Sequence, residues 1–167
     1  SVSSKSLILH RIFLVDLFVH IPYTIRTVSE TLAFTTLHLR GTMATRARIA
    51  YRYTDGSYVS AYHHWDGYLQ GLGLLLTEHY TDPKLIERCI QRGNASSWKS
   101  EPEHNDYYHN ERCMTHADTK SLMEDGWNMD EEFLYVYSEK LQGWSVRFRN
   151  GDSTRISKES ILSSEND

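Results

Sequence analysis

The run Tyr62-His63-His64-Trp65-Asp66-Gly67-Tyr68 gathers two imidazoles, an indole, a carboxylate and two phenols around one glycine. Groups of these types can move protons, stack on a planar ligand or hold an anion. Alternating residues precede the run and a helical pattern follows it, which sets it at a strand-to-helix corner. His63 and His64 are strand neighbours and point to opposite faces, so they cannot share one metal without a bulge. Asp66 is expected to accept backbone N–H bonds in the turn at Gly67, or to cap the next helix, rather than act as a base.

A hairpin must position that corner. Residues 46–53 alternate, and Asp55-Gly56 between two alternating runs predicts a two-residue type I′ turn. That turn pairs Tyr53 with Tyr58, Tyr51 with Ser60, Ile49 with Tyr62 and Ala47 with His64. The other face then carries Arg48 with His63 and Arg46 with Trp65. Arginine beside an indole and an imidazole can bind phosphate or stack a base, through charge-assisted hydrogen bonds and cation–π contact. The alternative, solvated arginines around a packing tryptophan, stays open.

Residues 69–80 then read as a helix with Leu69, Leu72, Leu76 and Tyr80 on one stripe. Gly71 and Gly73 within it imply close backbone approach, to the sheet or to a ligand. Thr81-Asp82-Pro83 starts a second helix that ends at Arg92-Gly93, with Cys89 on its apolar side. Residues 94–130 are polar, read as a long loop, and hold His104, His109, His116, Tyr107, Tyr108 and Arg112. Their spacing matches no metal-ligand pattern, and a tyrosine- and arginine-bearing loop over a small ligand is the better expectation. Residues 132–137 and 144–148 alternate as a second hairpin with one aromatic face, Arg155 and Ile156 extend the sheet, and residues 161–167 are expected to fray. The expected fold is α+β: a small antiparallel sheet from two β-hairpins, packed against two consecutive helices. The candidate ligand-binding residues are Arg46, Arg48, His63, Trp65, Tyr68 and Arg112.

The 167 residues are enough for one core, and the net charge of −4 argues against extended nucleic acid as a partner. Two cysteines in unlike settings point to free thiols rather than a disulfide scaffold or zinc site. Residues 1–42 lack the about twenty consecutive apolar residues of a membrane span, and the pattern of a signal peptide. Arg40-Gly41-Thr42 before Met43-Ala44-Thr45-Arg46 is what a ribosome-binding sequence ahead of a start codon would encode. A single domain over 43–160 preceded by upstream-translated sequence is therefore expected, with a packed amphipathic helix as the other reading of 1–42.

Met43-Ala44-Thr45-Arg46-Ala47-Arg48-Ile49-Ala50, the Asp-Gly turn and His64-Trp65-Asp66-Gly67-Tyr68 resemble a family of small uncharacterised proteins of tailed phages and prophages. Glu78-His79-Tyr80, Gly93-Asn94-Ala95-Ser96-Ser97 and Tyr108-His109-Asn110-Glu111-Arg112 add to the likeness, which covers residues 43 to about 148. Members often carry cysteine where this chain has His63. The resemblance implies a phage accessory protein acting in the host cytoplasm. Three functions follow as expectations. The first is non-enzymatic binding of a nucleotide-like small molecule, with a possible role against host defence. The second is a metal-assisted or acid/base hydrolase using His64, Asp66 or Glu78. The third is a protein–protein inhibitor of a host enzyme, anchored by Trp98 and exposed tyrosines.

Overall fold

The computed structural model describes residues 44–164, so the reading of residues 1–42 lies outside the described residues. Strands β1 (Ala47–Arg52) and β2 (Tyr58–His63) form an antiparallel hairpin, but not in the expected register. The Tyr53 N–H donates to the Ser57 carbonyl at 2.9 Å and the Gly56 N–H to the Tyr53 carbonyl at 3.1 Å, closing a loop over 54–56. Gly56 takes a positive φ of 94° and Asp55 does not, whereas a type I′ turn needs positive φ at both. The Asp55 carboxylate instead accepts from the Ser57 N–H and hydroxyl, which ties off the longer loop. Ala47 therefore faces His63, Arg48 faces Tyr62 and Ala50 faces Ser60. A one-residue slip exchanges the faces of β2 relative to β1. Arg48 and His63 lie on opposite sides of the sheet, and the expected grouping of the two does not form.

Between the hairpins lie β3 (Ala95–Ser97), β4 (Asp106–Tyr107) and β5 (Met114–His116). The second hairpin joins β6 (Phe133–Ser138) to β7 (Gly143–Phe148), with Tyr135 opposite Val146 and Tyr137 opposite Trp144. Strand β8 (Ser153–Arg155) extends it. The result is an eight-stranded sheet in the order β4-β3-β2-β1-β6-β7-β8, with β5 also on β2. Strand β1 runs parallel to β6, and β2 parallel to β3. The sheet is thus larger than expected and mixed, because parallel pairing joins segments that no local turn connects.

Helices cover both faces. Ala47, Ile49, Tyr51, Val59, Ala61 and Tyr135 share a core with residues of α1 (Leu74–His79) and α2 (Pro83–Gln91). Helix α4 (Lys158–Ser163) adds Ile161 to that core, so part of the tail expected to fray is folded. On the other face Ala50, Tyr58, Leu134 and Val136 pack against Leu122, Met123 and Trp127 of α3 (Thr119–Asn128). Helix α3 stands where a polar loop was expected. Its start is fixed by a capping box, with the Asp118 carboxylate accepting from the Ser121 N–H.

Under α3 lies a charged pair. The Arg48 guanidinium donates to Glu131 through Nε at 2.8 Å and Nη2 at 2.7 Å, and to the Ser60 hydroxyl at 3.0 Å. Both side chains of the ion pair are fully buried. Gly126 makes room, since a Cβ there would sit 2.7 Å from Glu131 Oε2. Removing one partner of a buried pair strands the other charge, at a cost of about 3–5 kcal/mol. Glu131→Gln is therefore expected to lower the unfolding free energy in urea by about that amount. Arg48→Met with Glu131→Met should cost less than the two single changes summed, and simple additivity would contradict the pairing.

Candidate functional site

The corner is held by backbone contacts that only a small residue permits. The Gly67 N–H donates to the Thr45 carbonyl at 2.8 Å, and the Gly67 carbonyl accepts from the buried Tyr135 hydroxyl at 2.8 Å. A Cβ on Gly67 would fall 2.5 Å from the Thr45 oxygen. Asp66 adopts a left-handed φ of 57°, which lets its carbonyl accept the Leu72 N–H at 2.8 Å. This backbone oxygen, rather than the carboxylate, ties the corner to the next element.

That element is a π-helical segment, Leu69–Gly73, continuing into α1. Gly71 and Gly73 explain the wider turn. A Cβ at Gly71 would lie 2.5 Å from the Asp66 oxygen, and one at Gly73 would lie 3.3 Å from the Tyr135 ring. The close approach expected of these glycines is therefore made to the corner and the sheet. Such π turns often accompany functional sites.

A cavity of about 210 Å³ opens at this corner, lined by His63, Trp65, Asp66, Tyr68, Trp98 and Lys99, with Gly71, Leu72, Leu75 and Ser97. Strand β3 extends the pairing past β2, the His64 and Trp65 N–H groups donating to the Ala95 and Ser96 carbonyls. This brings Trp98 beside His63, and the Trp98 backbone N–H donates to His63 Nε2 at 3.0 Å. The Trp98 ring packs on Tyr80 at 4.7 Å, and Tyr80 donates to the Lys99 carbonyl at 2.8 Å. His63 is 2% exposed and Trp98 4%, whereas Trp65 at 45% and Tyr68 at 41% stand at the rim.

Burial pushes the His63 imidazole down to about 3, with the Lys99 and His64 charges adding to the effect. The ring is neutral at physiological pH. Because Nε2 accepts from Trp98, its single proton sits on Nδ1. His63 Nδ1 and Trp98 Nε1 are both buried and have no hydrogen-bond partner among the described residues. Both nitrogens are sealed from solvent by the packing around them.

The structure keeps His63, Trp65 and Tyr68 of the expected set together and separates the others. Arg48 is committed to Glu131 on the far face. Arg46 is half-buried, just before β1, and Arg112 is exposed near Gly93 after α2; neither lines the cavity. Trp98 and Lys99 were not among the expected ligand-binding residues, because their place depends on β3 pairing beside β2. Trp98, expected as an exposed anchor for a host protein, is instead buried.

Two other places in the fold bring together groups with chemistry of their own. His116 Nδ1 lies 3.1 Å from Asp125 and its Nε2 2.7 Å from the Ser60 hydroxyl, in the order of a Ser–His–Asp relay. Ser60 is fully buried mid-strand and accepts from Arg48, so no substrate carbonyl reaches it. Burial, and after it the Arg48 charge, push His116 below its ordinary value. A wider groove of about 630 Å³ lies along Glu78, Trp144, Arg155 and Lys158. Its charges are already engaged, Lys158 with Glu78 at 2.5 Å and Arg155 with the Leu141 carbonyl at 3.3 Å. His64 bonds Tyr62 at 2.6 Å and Glu78 pairs with Lys158, so the expected hydrolytic groups are not assembled. Among the described residues no group of three or more His, Cys, Asp or Glu is placed to hold a metal ion.

His63 couples folding to pH. Its folded value of about 3 lies below the ordinary 6.5, so the unfolded chain takes the proton first as pH falls. Its stabilising contribution is complete above 6.5 and is lost towards 3, by about 1.4 kcal/mol per pH unit. Desolvation holds the Glu131 carboxyl above its ordinary value against the pull of Arg48, and a raised carboxyl slopes oppositely. The test is therefore the difference between wild type and His63→Gln, which keeps an acceptor for Trp98 but does not titrate. The stability gap between the two proteins should change by about 1.4 kcal/mol per unit from about pH 6 to about pH 4. A pH-independent gap would show that His63 is not held neutral.

Among the described residues no helix is long and apolar enough to cross a membrane. No family model, curated protein or solved structure matches the chain.

Proposed function

We propose that the protein binds a nucleotide-like small molecule at the corner cavity and does not transform it. The observation that carries this reading is the corner cavity itself, rimmed by the exposed rings of Trp65 and Tyr68 with Lys99 beside them. Exposed aromatic rings beside a cavity supply stacking area for a planar ligand. Lys99 adds a cation at the same opening, suited to a phosphate. The sequence resemblance supplies the setting we propose with it, a phage or prophage accessory product in the host cytoplasm. A hydrolytic reading has less support, because His64 is bonded to Tyr62 and Glu78 to Lys158, which leaves Asp66 as the one of those three groups on the cavity.

Calorimetric titration with a panel of nucleoside mono- and diphosphates tests the reading. At least one should bind saturably, and Trp65→Ala should weaken it about tenfold, the loss of about 1.4 kcal/mol of stacking. Trp65 is half exposed, so the variant should keep its melting temperature. No binding across the panel, or binding unaffected by Trp65→Ala, would overturn the assignment.

A further inference from the structure

The Tyr62 hydroxyl lies 2.6 Å from His64 Nδ1, and neither residue lines the corner cavity. We propose that Tyr62 is a nucleophile, with His64 as its base, that takes a phosphoryl group from an activated phosphate ester. Tyr62 is opposite Arg48 in the hairpin, so its ring is on the face that carries α3. His63 and the cavity are on the other face. The pair therefore acts independently of the corner.

A phenol is a weak nucleophile while it keeps its proton. An adjacent base that takes the proton as the new bond forms removes that limit. The phenol has one proton to donate, and a neutral imidazole has one nitrogen free to accept it. Among the described tyrosines, Tyr62 alone has its hydroxyl bonded to an imidazole. Those of Tyr53, Tyr58, Tyr80, Tyr135 and Tyr137 meet a carboxylate, a hydroxyl or a carbonyl oxygen. The His64 ring is held in place from two sides. It meets the Trp65 ring edge-on at 4.6 Å, and its own backbone N–H donates to the Ala95 carbonyl.

Arginine completes the set. Ala47 is opposite His63, so one step further along the hairpin Arg46 stands opposite His64, on the face of Tyr62. Burial raises the Tyr62 phenol above its ordinary value, the Arg46 charge works against that, and Tyr108, Glu131 and Glu111 add to it. The hydroxyl therefore keeps its proton at rest, and the imidazole is what makes it reactive. A guanidinium on the same face suits the oxygens of a phosphoryl group, where negative charge grows during transfer. In the step, the Tyr62 oxygen bonds to phosphorus and its proton passes to His64 Nδ1. The bond from phosphorus to the leaving oxygen breaks, and both its electrons stay on that oxygen.

Diethyl p-nitrophenyl phosphate is the probe, because the transferred group stays on tyrosine and the leaving p-nitrophenolate is coloured. The wild-type full chain should release a burst of p-nitrophenolate stoichiometric with protein. Mapped by mass spectrometry, the adduct should sit on Tyr62 in preference to Tyr68, although Tyr68 is the more exposed of the two at 41%. His64→Gln keeps an acceptor for the phenol but is no base. It should slow the labelling of Tyr62 about tenfold or more relative to Tyr68. Adducts that follow exposure in the wild-type chain, with Tyr68 ahead of Tyr62, overturn the proposal. So does the absence of an adduct on Tyr62, or its formation at an undiminished rate in His64→Gln.

Discussion

The register of β1 between β2 and β6 is the constraint on which the remaining geometry depends. Ala47, Ile49 and Tyr51 go to one core, and Arg48 and Ala50 go to the other. Once β1 is paired on both edges, a shift by one residue would place Arg48 among leucines and set apolar side chains against Glu131. The Arg48–Glu131 pair strengthens this choice, because a fully buried guanidinium has one acceptable location. The Glu131 carboxylate reaches it through the space at Gly126, so β1 and the turn after α3 are fixed together.

The corner inherits its form from that register. With His63 opposite Ala47, its imidazole lies on the side of α1 and the π-helical segment, where β3 delivers Trp98. Tyr135, on the strand at the other edge of β1, reaches across to the Gly67 carbonyl. The cavity therefore draws on distant segments, each locked by a buried hydrogen bond. Such support is what a preorganised binding site requires. The opposite face has the components of a nucleophilic relay in Ser60, His116 and Asp125, but they are spent on holding α3 and β5 to the sheet. Histidine thus serves as scaffold on one face and lines a cavity on the other.

Much of this was legible in sequence where information is local. The alternation in β1, β6 and β7, the proline-started helix α2, the burial of Cys89 and the corner at Gly67 all follow from short patterns. The hairpin register was not, because Asp55-Gly56 fits either a two-residue turn or a three-residue loop, and the Ser57 contacts with Asp55 decide between them. The segment from Asn94 to Asp130 carries little periodicity. Its short strands are ordered by pairing with β2, and α3 by packing a narrow stripe at Leu122. The site was half visible for the same reason. His63, Trp65 and Tyr68 belong to one run, whereas Trp98 and Lys99 arrive through a strand pairing that no local rule encodes.

A nucleotide bound at the corner cavity must touch the exposed Trp65 ring at its rim. Nitrogen–proton NMR spectra of the ¹⁵N-labelled protein report the Trp65 indole directly during titration with nucleoside monophosphates. Saturable shifts of the Trp65 indole are expected, while the indole of Trp127, on the opposite face, stays in place. An unmoved Trp65 signal at saturating ligand, or shifts confined to Trp127 or Trp144, would contradict binding at the corner.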